Sequence, residues 1–331
     1  YSELAELFRS EKTDEEILDF LLNYHKNDIA DMMAGMTEEE RKRLYHLLGA
    51  QKVAEIFKYI EEPRKYIREL SVESAARVIS EMDSDDAVDL LEDLDPEEKE
   101  QIVRMLDEDA KKDVKMLLSY DEEEIGSCMT TNYICIPENL TIRQAMSELV
   151  KQAGENDNIM TIYVVDEKGV FAGAIDLKDL IRARENAHLE DLVLKSYPYV
   201  TDHEKIDDCM DRILDYAEDS IPVLSEDKKI LGVITSEDLI EMVDNEMGED
   251  YAKLAGLTAE EDLKEPTLQS MKKRLPWLII LLFLGMGVSS VVGIFESVVA
   301  VLPIVICFQS LVLDMAGNVG TQSLAVTIRV L

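Results

Sequence analysis

Along the first 120 positions, apolar residues recur at a helical spacing that keeps resetting. Leu70, Met82, Leu94 and Leu106 stand 12 residues apart. Each is followed by a capping residue (Ser71, Asp83, Asp95, Asp107) and, two positions later, by an acid (Glu73, Asp85, Glu97, Asp109). A Ser or Asp ahead of an apolar run, with acid in the first turn, marks a helix start. Helices this short bury an apolar face only by stacking on neighbours, so the pattern predicts a superhelix of short capped helices.

From Cys128 the period changes to short strands alternating with helices, and it does so twice. Tyr163-Val164-Val165-Asp166, Gly173-Ala174-Ile175 and Asp179-Leu180 form the first set. Pro222-Val223-Leu224-Ser225, Gly232-Val233-Ile234 and Asp238-Leu239 form the second, at a constant offset of 59 residues. Each set reads as a βαββα unit with a hairpin turn, around Glu167-Lys168-Gly169 in one and Glu226-Asp227-Lys228-Lys229 in the other. Residues 240–254 continue as an acidic helix and a polar link follows Gly256. A further helix starts near Thr267, and Pro276 suits its start or a kink.

Leu275 to Phe295 is an uncharged run of 21 residues and Ser297 to Leu313 a second of 17, with Glu296 between them. About 20 apolar residues cross a bilayer core, so two membrane helices are predicted. The second continues through Asp314 into Ala316-Gly317-Asn318-Val319-Gly320-Thr321-Gln322. Lys272-Lys273-Arg274 directly before the first run orients residues 1–274 to the cytoplasm.

Charge sharpens the picture. Only Glu296, Asp314 and Arg329 are charged after position 274, so residues 1–274 hold 68 acids against 33 bases, a net of −35. Such a body repels nucleic acid and anionic lipid and attracts cations. The four cysteines (Cys128, Cys135, Cys209, Cys307) form no CxxC, and the four histidines form no cluster, which argues against zinc and for a hard cation held by oxygen. No GxSxG, Walker-type loop or HExxH is present, so an enzyme is not expected. The chain starts at Tyr1 without an initiator Met and stops after two spans. A trimmed front end and an incomplete membrane domain are the expectation.

The tandem units over residues 125–245 resemble a pair of CBS domains. Taken in order with the helical repeat, the linking helix, Phe295-Glu296-Ser297 and Gly317-Asn318-Val319-Gly320-Thr321-Gln322-Ser323, the whole chain resembles the MgtE family of magnesium channels. The resemblance implies a multidomain fold: an all-α superhelical N domain at 1–124, CBS domains at 125–188 and 189–247, a connecting, plug-type helix at 248–274, and α-helical transmembrane segments at 275–331. It also implies a homodimer in the plasma membrane, multi-pass, with five membrane helices per subunit, a pore on the dimer axis and magnesium sensing in the cytosol. The family's decisive acidic pore residue lies on a later membrane helix, so the chain as written is not expected to conduct.

Candidate residues follow from spacing. Asp85 and Asp89 lie one helical turn apart with Asp86 adjacent, and Asp238, Glu241, Glu246, Glu249 and Asp250 share the helix that leaves the second CBS unit. The resemblance implies that these acids bridge the N domain to the CBS pair through magnesium, which is then both substrate and regulator. The bland alternative is a solvated acidic face. Ala217 stands where the family pattern has an acid, so one metal site is expected to be missing or rebuilt.

In the membrane segment Asn318, Thr321 and Gln322 are polar residues in apolar surroundings, and Gly317 and Gly320 permit close backbone approach. Carbonyls facing a hydrated ion are one reading; a glycine-assisted helix seam is the other. Glu296 falls at the turn between spans. Asp314 either lines a path or caps a helix broken beside Gly317. CBS pairs often hold adenine nucleotides such as ATP through a Thr/Ser-xx-Asp element. Thr235 and Asp238 fit it, whereas Asp176-Leu177-Lys178-Asp179 lacks the hydroxyl. The competing function is a membrane-anchored CBS nucleotide sensor. A CNNM/CorC-type transporter is disfavoured, because that type places its membrane domain before the CBS pair.

Overall fold

A computed structural model describes residues 13–331 except 61, 155, 185–186, 255–266, 296–300, 302 and 331. The side chains of several helical residues, Glu246 and Glu249 among them, also fall outside the described set. The chain divides into two compact units, Tyr1–Leu239 and Ile240–Leu331.

The first unit opens with eight helices among the described residues: α1 (Asp14–Leu21), α2 (Lys26–Met33), α3 (Glu38–Phe57), α4 (Pro63–Ile67), α5 (Val72–Ser80), α6 (Ser84–Glu92), α7 (Pro96–Met105) and α8 (Glu108–Leu117). The last four each begin directly after the expected cap. Ser71 and Asp107 receive the backbone N–H three residues on, at 3.2 and 2.8 Å. Asp83 and Asp95 instead turn outward, Asp83 to Lys58 and Asp95 to Arg64 and Arg68. Alternate helices pack, α5 on α7 and α6 on α8, which is the stacking a 12-residue repeat requires. Ala75, Ala76, Ile79, Ala87, Leu90, Leu91, Val114 and Leu117 close this core.

One charged pair sits inside the helical stack. Arg41 Nε donates to Glu69 Oε2 at 2.8 Å, and a second guanidinium nitrogen closes a bidentate fork on Oε1. Arg41 also donates to the Met33 carbonyl at 3.2 Å and lies 5.2 Å from the Tyr66 ring centroid. The two side chains are only 7% and 11% exposed, so removing either one strands the other in a dry site.

The CBS pair holds two three-stranded sheets. The first is β1 (Ile134–Pro137), β2 (Thr161–Val165) and β3 (Phe171–Asp176), with α9 (Ile142–Gln152) and α10 (Leu177–Arg182). The second is β4 (Val200–Thr201), β5 (Ser220–Leu224) and β6 (Ile230–Thr235), with α11 (Ile206–Leu214) and α12 (Ser236–Leu254). In each sheet the first pair of strands is parallel and the second antiparallel, and the register slips at equivalent points, Val164/Val165 and Val223/Leu224. β2 is buried over its first four residues, because both of its faces are covered. Ile162 and Val164 face the core of their own unit, whereas Tyr163 packs with Tyr197 and Val233 of the second.

The two units are cross-strapped. Thr130, ahead of the first, pairs with Val233 of β6, and Leu194, ahead of the second, pairs with Ala174 of β3. Glycine makes each approach possible. A Cβ on Gly173 would meet the Leu194 carbonyl oxygen at 2.6 Å, and one on Gly232 the Thr130 carbonyl oxygen at 2.8 Å. Residues 123–130 thus run along the second CBS unit before the chain enters the first.

The second unit contains most of α12, then α13 (Thr267–Ile294) and α14 (Pro303–Val330). Among the described residues one stretch, Ser270–Ile294, is long and apolar enough to cross a membrane, with mean hydropathy 2.3 and none of that window buried. Pro276 lies inside α13 rather than at its start. The second predicted span, 297–313, lies partly outside the described residues; its described part opens α14.

Replacing Arg41 by Met is expected to lower unfolding stability by about 3–5 kcal/mol, because Glu69 stays buried without its partner. Adding Glu69→Leu is expected to recover most of that loss. Urea unfolding of the two variants checks this, and equal losses in the single and double variants would show that the pair is not coupled.

Candidate functional site

Two helix N-termini of the first unit carry the acids of interest. Asp85 and Asp86 lie in the first turn of α6, and Asp238 in the first turn of α12. Carboxylates are favoured there, where unsatisfied N–H groups leave partial positive charge. These residues are near enough to act on one another electrostatically. The Asp85 carboxyl is raised well above the carboxylate range, first by burial and next by the negative charge of Asp238, then of Asp86 and Asp83. Asp85 Oδ1 is closed off from solvent and has no hydrogen-bond partner. The Asp238 carboxyl is pushed up to about 6 by burial, with Asp86 adding, while bonds from Thr235 and the charge of Lys58 pull the other way.

Sequence reading missed the residues that surround this pair. Lys58, just past α3, forms an ion pair with Asp83 and a second with Asp86 at 3.3 Å. Burial lowers and these acids raise its affinity for a proton, and the acids prevail. Asp83 Oδ1 also accepts from Asn132 Nδ2 at 2.8 Å, and Asn132 Oδ1 accepts from Asp157 N at 2.9 Å. Next to it, Thr131 N donates to Ser84 Oγ at 2.9 Å, and Thr131 Oγ1 to Asp113 Oδ2 at 2.8 Å. The helical stack therefore meets the loop ahead of β1 through matched donors and acceptors, whereas it meets α12 through opposed carboxylates. Cys128 lies in the same field. Its thiol is pushed up to about 11 by burial and, behind that, by Asp89, Asp238 and Asp85.

The other expected ligands are not gathered here. Asp89 is exposed one turn along α6. Glu241 is exposed, and Asp250 is half-buried 3.9 Å from Lys253; both belong to the second unit. Glu246 and Glu249 share α12 with them, with side chains outside the described residues. Among the described residues no group of three or more His, Cys, Asp or Glu side chains forms a ready cage for a metal.

Thr235 and Asp238 are occupied with each other. Thr235 N and Oγ1 donate to Asp238 Oδ2 at 2.7 and 2.9 Å, and Asp238 N donates back to Thr235 Oγ1 at 3.3 Å. This reciprocal cap is what starts α12. In the first unit Asp176 caps α10 instead, accepting from Lys178 N at 2.7 Å.

In α14, Asp314, Asn318 and Thr321 stand at i, i+4 and i+7, so they share one face, with Gln322 adjacent. Asn318 Nδ2 reaches Asp314 Oδ2 at 3.5 Å, and Thr321 Oγ1 donates to the Gly317 carbonyl at 3.1 Å. The helix runs unbroken through Gly317 and Gly320. Its carbonyls serve helical bonds, which removes both the expected carbonyl lining and a broken end for Asp314 to cap; the polar side chains remain. Glu296 lies outside the described residues.

Comparison with known proteins places this geometry. Residues 24–123 match the model of the MgtE intracellular N domain, and residues 123–186 and 189–245 each match the CBS domain model. The chain is 41% identical over 318 residues to magnesium transporter MgtE of Enterococcus faecalis, covering 95% of this chain and 70% of that one. It spans about half the length of two further curated relatives of that name, from Bacillus subtilis and Thermus thermophilus. Among solved structures, the soluble part of a magnesium transporter superposes with TM-score 0.70 at 30% identity, covering 74% of this chain and 97% of that one. The cytosolic domain of the Mg2+ channel MgtE in complex with ATP superposes with TM-score 0.64 at 26% identity, covering 72% and 98%.

The raised carboxyl of Asp238 sets a pH dependence with a definite sign. The folded form holds that proton more tightly than a free carboxyl with its ordinary value of 3.8. The stabilisation is therefore complete below about pH 4 and is lost as pH rises through about 6; Asp85 acts in the same direction. Thermal midpoints in EDTA at pH 5 and pH 7.5 are expected to show a loss on the order of 1–3 kcal/mol at the higher pH. Asp238→Asn should remove most of that difference, and an identical pH response in the variant would exclude Asp238 as its source.

Proposed function

The chain belongs to the MgtE family of magnesium transporters, and from that premise we propose that it takes part in magnesium uptake and is regulated by magnesium at the contact between its helical stack and α12. The proposed division is the one expected from sequence: N domain 1–124, CBS domains 125–188 and 189–247, connecting helix 248–274, membrane segment 275–331. We further propose a homodimer in the plasma membrane, multi-pass, with residues 1–274 in the cytoplasm. The transported ion is the substrate, and the polar face of Asp314, Asn318, Thr321 and Gln322 is the proposed lining of its path.

The observation that carries the regulatory reading is Asp85 Oδ1, shut away from solvent without a partner and facing the field of Asp238. A buried carboxylate in that position costs stability unless a proton or a cation compensates it. Asp85 and Asp238 would hold a divalent cation, whose charge would turn their repulsion into a bridge. With little free magnesium the two carboxylates weaken the docking of the helical stack on the second CBS unit. With abundant magnesium docking is favoured, and α12, which begins at this contact and continues to Leu254, is the proposed route toward the membrane segment. Coupling of this kind biases a two-state element by differential binding and gives negative feedback on uptake.

A nucleotide role has one observation in its favour, the ATP complex of the MgtE cytosolic domain to which this chain is similar. Against it, a phosphate or ribose at Thr235 and Asp238 would have to displace the bonds that cap α12.

Limited proteolysis of the full chain in detergent tests the proposal. Millimolar magnesium is expected to protect residues 118–135 and the link after Leu254, at constant ionic strength and relative to sodium. Asp85→Ala and Asp238→Asn are each expected to raise the protecting concentration by about tenfold or more, one lost charge–charge contact being worth about 1.4 kcal/mol or more. Protection by ATP alone, with indifference to magnesium, would replace this reading by the nucleotide sensor.

A further inference from the structure

Among the described residues the cluster around α6 holds the carboxylates Asp83, Asp85, Asp86 and Asp238 and the ammonium of Lys58, with the charge of Glu237 also acting on Asp86. Its contacts are unevenly distributed. Lys58 binds Asp83 and sits 3.3 Å from Asp86 Oδ2. Asp83 is further engaged by Asn132. Asp85, between them in sequence, receives nothing at Oδ1. Lys58 is itself about two-thirds covered, its side chain 32% exposed, so its charge acts in a medium less screening than bulk water. Asp83, like Asp95 and unlike Ser71 and Asp107, makes no side-chain bond to the N-terminus of its helix and pairs with a basic side chain instead.

We propose that Lys58 is a tethered counter-ion that withdraws Asp83 and Asp86 from the cation site, leaves Asp85 and Asp238 as its ligands, and so holds the site's affinity for divalent cations low. The proposal rests on the regulatory reading above and adds what tunes it. With Lys58 present, the acids that face an incoming cation carry one charge less: Asp83 is bonded to Lys58, and Asp86, whose Oδ2 has no hydrogen-bond partner, is ion-paired with it at 3.3 Å. Without it, Asp86 is released toward Asp85 and the site gains a third carboxylate and one unit of negative charge. More carboxylates and more net charge tighten divalent binding in oxygen sites. Lys58 thereby works as a positioning residue: it touches the neighbours of the site and sets the concentration range over which the contact responds.

The test is hydrogen–deuterium exchange on the full chain in detergent, following residues 130–133 and 235–239 through a magnesium titration at constant ionic strength. Lys58→Met is expected to exchange faster than wild type in EDTA, since repulsion is less compensated, and to reach half-protection at roughly tenfold lower magnesium. Lys58→Arg, which keeps the charge, is expected to titrate within about twofold of wild type. A purely structural lysine would destabilise the fold without moving the midpoint to lower magnesium. If wild type responds and Lys58→Met leaves the midpoint in place or raises it, the proposal is overturned and the regulatory reading survives. If wild type shows no response, the regulatory reading fails and takes the proposal with it. Should Lys58→Met not fold even at saturating magnesium, Asp86→Asn decides the matter from the other side. Removing that carboxylate should raise the midpoint by clearly less than Asp85→Ala or Asp238→Asn does, because Lys58 already withholds it; a shift as large as theirs would show Asp86 to be a ligand and overturn the proposal.

Discussion

Two carboxylates confront each other where the helical stack meets the second CBS unit, and no basic side chain is bonded to the inner oxygen of Asp85. Like charges brought together in a partly dry site repel more strongly than they would in water. What makes the contact tolerable is its placement at helix starts. Asp85 and Asp86 occupy the first turn of α6 and Asp238 the first turn of α12, so each lies at the partially positive end of a helix. That compensation is partial, worth roughly 0.3–1 kcal/mol at a helix end. The remainder is available to whatever positive species the surroundings supply, a proton or a metal ion.

The rest of the first unit is arranged around this tension. Next to the opposed acids, Ser84 and Asp113 are matched by Thr131, and Asp83 by Asn132, in bonds that need no ion. The loop that carries Thr131 and Asn132 follows Thr130, which is paired into β6 of the second CBS unit. The same strap therefore anchors the loop bound by the helical stack and lies on the sheet that leads into Thr235 and Asp238. Gly232 is what lets it lie that close. The acid pair and the neutral bonds beside it are therefore anchored on the same sheet.

Much of the fold could be read before any coordinates were at hand, and the reasons are local. A 12-residue repeat with its cap and its acid is fixed by helix-end chemistry, so α5 to α8 begin where Ser71, Asp83, Asp95 and Asp107 say they should. The two CBS units announce themselves by a 59-residue self-similarity that extends even to the register slip after Val164 and Val223. The candidate site was only half legible. Asp85, Asp86 and Asp238 stood out because acids at helix starts recur, but Lys58 and Asn132 lie at no repeat position and their role exists only in three dimensions. Thr235 and Asp238 also show how one motif serves two grammars. The Thr-x-x-Asp spacing that fits a nucleotide is equally the spacing of a reciprocal helix cap, and local geometry satisfies the cap. The glycines of α14 left two readings open, and the helix runs unbroken through both of them, since a glycine permits an unwound helix without requiring one.

On the regulatory reading, the two carboxylates that would hold the ion come from different elements, Asp85 from α6 and Asp238 from α12. A preformed chelate binds whether or not the domains are docked, and its occupancy then says nothing about docking. A site whose two carboxylates come from different elements exists only when those elements meet, so ion binding and docking share one free energy and each promotes the other. The response is then set by how much repulsion is left uncompensated when the ion is absent. One ammonium placed beside four carboxylates reduces that remainder without abolishing it, which leaves the contact weak enough to open and charged enough to close. Had the cluster been neutralised completely, the docked state would persist at any magnesium concentration. On the same reading, loss of Lys58 would leave more repulsion uncompensated and tighten the hold on a divalent cation.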